Sequence, residues 1–221
     1  MKLGVPNQES SFLRLKKLGF NPERIIDIGA FEGMWSQDIH LIFPKSQILM
    51  VEGQKNKENI LTQKLKSIPN STLKIALLGA EKKNVAFNIY ESASSIFEED
   101  NKTNAKVEHI ELNLLDEVAF NAGFETADLI KLDTQGSELE ILKGGEKVLQ
   151  TAQLVLVEVS LLQIYKGAPL VDEVINFMKD RGFVLYDICS VMRRPYDKAL
   201  FQSDFLFIKQ QHPLIASSRW A

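Results

Sequence analysis

The sequence predicts an α/β protein built on a mostly parallel sheet with helices on both faces. Three observations carry this. Short β-branched runs alternate with longer helical stretches from Arg24 to about Gly182. A glycine-bearing turn, Gly29 to Gly33, follows the first run. The last helix is followed by two strands with no crossover helix between them, which sets the final strand antiparallel to its neighbours.

The elements follow in order from the hydrophobic period. Residues 10–18 place Phe12, Leu13, Leu15 and Leu18 at helical spacing, with Gly19 as a stop. Arg24 to Ile28 reads as a buried strand, and a helical stretch runs from the Gly29-Ala30 turn to Phe43, where Pro44 ends it. Gln47 to Val51 is a second strand, Lys55 to Lys66 an amphipathic helix, and Thr72 to Leu78 a third strand. Residues 84–90 and 106–114 alternate apolar and polar, as half-exposed antiparallel strands do, so 84–115 reads as an inserted antiparallel pair around a polar 91–105 loop. Asp128 to Asp133 is a buried strand, Gly136 to Leu149 a helix, and Gln153 to Val159 another buried strand. A helix from Asp172 to Arg181 precedes strands at Phe183 to Ile188 and Asp204 to Ile208.

A chain of 221 residues with no long linker suits one domain spanning 1–221, with a helical extension at 1–23 and a tail at 210–221. Lys and Arg number 26 against 29 Asp and Glu, a net charge of -3, which argues against a nucleic-acid partner. No apolar run approaches the roughly 20 residues of a membrane span, and no leader pattern opens the chain, so the expectation is a cytoplasmic protein without a membrane partner. A single cysteine, Cys189, makes neither an internal disulfide nor a multi-cysteine metal site.

In a sheet of this kind ligands bind beyond the carboxyl ends of the strands, where strand order reverses. The first strand ends Asp27-Ile28-Gly29-Ala30-Phe31-Glu32-Gly33. This is not the G-x-G-x-x-G of a dinucleotide site: Phe31 stands at the second glycine, and Asp27 and Glu32 repel a phosphate. An acidic turn suits a cation such as S-adenosylmethionine, with its sulfonium and ammonium; the plainer alternative is a tight turn whose Glu32 complements the helix dipole. Glu52-Gly53 ends the second strand, where a carboxylate accepts from ribose hydroxyls. In Asp128 to Glu138, Lys131 and Asp133 interrupt an apolar strand and point to one face, either as an internal ion pair or as chemistry facing the crevice. An adjacent ammonium favours the ionised carboxylate and weakens it as a base, so Asp133 orients a hydroxyl as readily as it deprotonates one. Glu138 reads as a partner of the helix dipole. Glu158 lies near the end of the next strand, beside Asp133; such a pair can hold Mg²⁺, but two oxygen ligands do not define a site, and no metal is expected. None of the three histidines falls at a strand end. Ser92, Ser94, Ser95, Tyr165-Lys166-Gly167 and the 190–203 loop are candidate rim positions or plain surface.

Taken together, IIDIGAFEGMWS (25–36), ILMVEG (48–53), IALLG (75–79), NLLDEV (113–118), DLIKLDTQGSELEILKGG (128–145), LVEVS (156–160) and DEVINFMKDRGFVLYDI (172–188) resemble the FkbM family of S-adenosylmethionine-dependent methyltransferases. The run of Lys131, Asp133, Gly136 and Glu138 is the most specific piece. The resemblance implies a class I methyltransferase (Rossmann-like) fold: a seven-stranded, mostly parallel sheet with its last strand antiparallel. It implies that Asp27, Gly29, Ala30, Glu32 and Gly33 surround the methionine part of the cofactor, that Glu52 and Gly53 meet the ribose, and that Leu78 and Gly79 lie near adenine. It also implies O-methylation of a sugar or natural-product-like acceptor; Asp133 and Glu158, from their places at the strand ends, are the catalytic candidates. The family often has Asn where this chain has Phe31. The rival readings are a nucleotide-dependent (NAD-type) oxidoreductase and a binding module that kept the fold without the chemistry. Acceptor identity and oligomeric state are not encoded in these patterns.

Overall fold

The computed structural model describes residues 5–89, 94–97, 106–163 and 165–217. Ser92 and most of the 91–105 loop therefore lie outside the described residues. Helix α1 (Gln8–Lys17) starts at Asn7, whose side chain accepts from the Ser10 N–H. It is followed by β1 (Arg24–Ile28), α2 (Met34–Ile42), β2 (Gln47–Glu52), α3 (Glu58–Leu65) and β3 (Ser71–Ile75). Next come β4 (Leu77–Leu78), β5 (Asn84–Ile89), β6 (Lys106–Asn113), α4 (Leu115–Phe120) and β7 (Leu129–Leu132). The remainder is α5 (Glu138–Lys143), α6 (Glu146–Thr151), β8 (Leu154–Ser160), α7 (Val171–Asp180), β9 (Phe183–Ile188), β10 (Met192–Arg193) and β11 (Leu200–Lys209).

The main sheet runs β10-β11-β8-β7-β1-β2-β3, with β9 also pairing β11. Strands β3, β2, β1, β7 and β8 are mutually parallel, while β11 is antiparallel to both β8 and β9. The final strand thus inserts antiparallel, as the missing crossover helix predicts. After β3 the chain returns to pair β7 on the opposite side of β1, so strand order reverses between β1 and β7.

Alternate residues of each central strand feed opposite cores, because side chains in a strand point to the two faces in turn. Ile26, Ile28, Leu49, Val51, Ile130, Leu132, Val155 and Val157 pack with Leu115, Leu142, Val148 and Met178 of α4 to α7. Ile25, Ile48, Met50, Leu129, Leu154 and Leu156 pack with Phe12, Leu15, Ile39 and Leu61 of α1 to α3. Burial on both faces is why these strands read as continuous apolar runs. Each such side chain contributes on the order of 1.5–3 kcal/mol on leaving water.

The structure departs from the sequence reading in four places. The expected strand from Thr72 to Leu78 is two: β3 pairs β2 as far as Glu52↔Ile75, and Leu77-Leu78 turns away to pair β6 in a separate sheet, β4-β6-β5. The expected helix from Gly136 to Leu149 is broken at Gly144-Gly145. A side chain at Gly144 would stand 2.1 Å from the Gly79 carbonyl oxygen, so the backbones approach there in a way only glycine allows. Helix α4 has no counterpart in the hydrophobic period. Strand β11 begins at Leu200 rather than Asp204 and carries the two-residue β10 beside it.

Candidate active site in the cleft beyond the strand ends

A cleft opens where strand order reverses. Ile28 and Gly29 line it after β1, Val51 to Gln54 at the end of β2, Ala76 to Leu78 after β3, and Asp133 to Gln135 after β7. Phe87 of the inserted sheet and Ile141 of α5 add apolar wall. Gly29 has φ +76°, and a Cβ on it would stand 2.0 Å from the Asp133 carbonyl oxygen. That contact brings the turn after β1 against the end of β7. Phe31 also takes a left-handed conformation, φ +52°, which asparagine tolerates better than phenylalanine.

Glu52 is 5% exposed. Its Oε2 accepts from the Phe31 N–H at 2.8 Å and its Oε1 from the Gln54 N–H at 2.8 Å. Burial raises its pKa, and the two N–H donors only partly oppose the shift. Each carboxylate oxygen keeps a second lone pair.

The four acidic residues expected around the ligand do not all meet there. Asp27 is fully buried beneath the cleft: Oδ2 accepts from Ser36 Oγ at 2.7 Å, and Oδ1 lies 3.0 Å from Lys131 Nζ. Glu32 turns outward to Lys57, whose ammonium is 2.8 Å from its carboxylate and 3.7 Å from the Phe31 ring centroid. Ala30 is buried in the core on the α1 to α3 side. Gly33 carries the left-handed residue that opens α2, with φ +73°. Gly79 lies against Leu112 and Gly144. Glu52, Gly53, Leu78, Gly29 and Asp133 remain on the cleft wall.

The buried ammonium of Lys131 joins these layers. It donates to the Gly29 carbonyl at 3.0 Å, pairs with Asp27 across the β1–β7 register, and lies 3.9 Å from Asp133 Oδ2. Burial alone would lower its pKa, but Asp27 and Asp133 outweigh that and raise it. The ion pair left open by the sequence therefore has Asp27 as its main partner, and the Asp133 side chain remains 42% exposed at the cleft.

Gln135 is the residue that sequence reasoning missed. It adopts φ +55°, and its Nε2 donates to Asp133 Oδ1 at 3.1 Å and to Glu158 Oε2 at 2.9 Å. Its Oε1 accepts from the Tyr165 hydroxyl at 2.7 Å, and its backbone oxygen accepts from Ser95 Oγ at 2.7 Å. Glu158 also accepts from Gln202 Nε2 at 2.9 Å. Burial first, and then the neighbouring Asp133, Glu138 and Asp204, push Glu158 up to about 10. Its surroundings therefore favour the protonated form, and it is tied to Asp133 through an amide rather than standing in the cleft. Glu138 does more than meet a helix dipole: buried, it folds back to accept from the N–H groups of Thr134 and Gly136 and fixes the loop that carries Gln135. Among the described residues no group of three or more His, Cys, Asp or Glu is placed to hold a metal.

With this geometry in hand, known proteins narrow the class. Residues 27–185 match the methyltransferase FkbM domain. The chain belongs to that family. A 58-residue stretch is 34% identical to the 2-O-methyltransferase NoeI of Sinorhizobium fredii (strain NBRC 101917 / NGR234), covering 26% of this chain and 24% of that protein. The chain thus matches about a quarter of the length of that curated relative. Among solved structures, a putative O-methyltransferase from Klebsiella pneumoniae superposes with a TM-score of 0.55 at 12% identity, over 95% of this chain and 83% of that one. The precorrin-6y C5,15-methyltransferase of Geobacter metallireducens GS-15 gives 0.51 at 13% identity, over 91% and 87%. These likenesses establish the class I methyltransferase fold. Among the described residues no helix is long and apolar enough to cross a membrane.

Proposed function

We propose that this FkbM-family protein methylates a hydroxyl of a sugar or small natural-product-like acceptor, using S-adenosylmethionine. The observation that carries the reading is the pair of carboxylates on one cleft wall: Glu52, held by two backbone N–H groups, and Asp133, exposed beside Lys131. The donor set suits such a cofactor. The free lone pairs of Glu52 can take ribose hydroxyls, and acidic groups favour a cation over a pyrophosphate. When bound, the cofactor would supply an electrophilic methyl group on a sulfonium for an acceptor oxygen.

The chain's own part is positioning and proton removal. Asp133 accepts a hydrogen bond from the acceptor hydroxyl, aligns the oxygen and takes its proton. Gln135 holds Oδ1 of Asp133, and Glu158 supports Gln135. Glu158 is thus a positioning residue. The short match to a protein named 2-O-methyltransferase supports oxygen as the nucleophile.

Comparing methylated metabolites in cells with and without the protein supplies the acceptor. With it, Asp133→Asn is expected to lower turnover about a hundredfold or more, while affinity for S-adenosylhomocysteine stays within about a factor of two of the original. Unchanged turnover removes Asp133 from the chemistry.

A further inference from the structure

Asp133 is held by little. Its Oδ2 lies 3.9 Å from Lys131 Nζ, beyond hydrogen-bond reach. Among the described residues its carboxylate receives one hydrogen bond, from Gln135 Nε2 to Oδ1 at 3.1 Å. Whatever fixes Gln135 therefore also fixes the direction of Asp133. An amide has two N–H donors and one acceptor oxygen, and in Gln135 all are engaged. Nε2 donates to Asp133 and to Glu158, while Oε1 accepts from the Tyr165 hydroxyl at 2.7 Å. Among the described residues Tyr165 alone holds the oxygen end. Tyr165 is itself fixed in place. It is buried, and its carbonyl accepts from the Ala168 N–H at 3.1 Å and from Gln163 Nε2. A Cβ on Gly136 would stand 2.9 Å from Ala168 Cβ and 3.6 Å from Tyr165 Cβ, so the 165–168 turn packs directly on Gln135-Gly136. The left-handed backbone of Gln135 costs about 1 kcal/mol or more and persists only where the surroundings over-determine it.

We propose that Tyr165 is a positioning residue: by donating to Gln135 Oε1 it fixes the amide with Nε2 toward Asp133, and so keeps the Asp133 carboxylate aligned. This rests on the reading of Asp133 as the group that meets the acceptor hydroxyl, and it couples the loop after β8 to that chemistry. Without the hydroxyl, Oε1 turns to water for a donor, the amide rotates, and Asp133 loses its hydrogen bond. A misplacement of about 1 Å at a reacting group costs up to about a hundredfold in rate. A role in packing alone predicts something else: a lower melting temperature, with the rate of the folded protein unchanged.

The test uses Tyr165→Phe, which removes the hydroxyl and keeps the ring. In the free protein, heteronuclear NMR follows exchange of the Gln135 side-chain amide protons with water, expected to be about tenfold faster in the variant. Methyl transfer from S-adenosylmethionine to the acceptor that the metabolite comparison supplies is then measured. Tyr165→Phe should lower kcat about tenfold, with KM for both substrates within about a factor of two of the original. In a Gln135→Met background, which lacks the amide, Tyr165→Phe should lower kcat no further. Unchanged amide exchange overturns the proposal, as does a second loss of kcat in the Gln135→Met background. A loss confined to KM would make Tyr165 an acceptor-binding residue and overturns it too. Should Tyr165→Phe fail to fold, the hydroxyl holds the loop rather than Asp133, and the proposal falls. If Asp133→Asn lowers turnover and Tyr165→Phe does not, this proposal alone is wrong. If neither lowers it, the reading of Asp133 falls and takes this one with it.

Discussion

Asp133 and Lys131 show what a residue pattern can and cannot reveal. Two ionisable residues in an apolar strand announce themselves, and their i, i+2 spacing correctly puts them on one face. The main partner of Lys131, Asp27, comes from strand pairing across 104 positions, which no local pattern encodes. Gln135 was missed for a related reason: an amide carries neither charge nor periodicity, and its importance arises from a left-handed backbone that aims it at Asp133, Glu158 and Tyr165. At this scale Glu158 makes a pH prediction. Its folded pKa, about 10, lies above the ordinary carboxylate value of 4.5. Between those values the folded chain holds a proton that the unfolded chain has released, so this group lowers stability as pH rises through the window. Replacing Glu158 with Gln keeps an acceptor for its amide neighbours and should flatten that slope, raising stability by about 1 kcal/mol or more at pH 8.5. Urea unfolding at pH 6 and pH 8.5 reads the difference; an unchanged slope would show that Glu158 is ionised in the fold.

Between elements, two close contacts set the cleft. The first is the approach of the β1 turn to the end of β7, where Gly29 leaves 2.0 Å between a would-be Cβ and the Asp133 carbonyl oxygen. Gly29→Ala must shift one strand end and adopt an unfavourable φ, so a loss of more than about 2 kcal/mol in urea unfolding is expected. The second is the Asp27–Lys131 pair that couples β1 to β7. Lys131→Met strands a fully buried carboxylate and is expected to cost about 3–5 kcal/mol, whereas adding Asp27→Asn should recover part of it. A double-mutant cycle without that recovery would show that the two residues do not act as a pair. The same scale explains the misread boundaries. The periodicity of 136–149 continues through Gly144-Gly145, and only the packing of Gly79 and Leu115 against those glycines forces two helices. The strand at 72–78 likewise looks unbroken until Leu77-Leu78 finds its partner in the distant β6.

For the molecule as a whole, strand–helix alternation was enough to read the parallel sheet, and the absent final crossover to read its antiparallel last strand. The position of the cleft followed from topology, because the reversal of strand order between β1 and β7 places it there whatever the side chains. The charge content of the cleft did not follow. Asp27, Glu32, Glu52 and Asp133, all at or just past strand ends, are expected to converge, but Asp27 is neutralised below the cleft by Lys131 and Glu32 beside it by Lys57, leaving Glu52 and Asp133 to face a ligand. The central claim, that these two carboxylates and the glycine turn form a site for a sulfonium-bearing adenosine cofactor, is tested most directly by calorimetric titration of the intact chain with S-adenosylhomocysteine and, separately, with NAD. Saturable one-to-one binding of S-adenosylhomocysteine at micromolar concentrations, weakened by Glu52→Gln and not matched by NAD, is the expected result. Binding of NAD alone would contradict it.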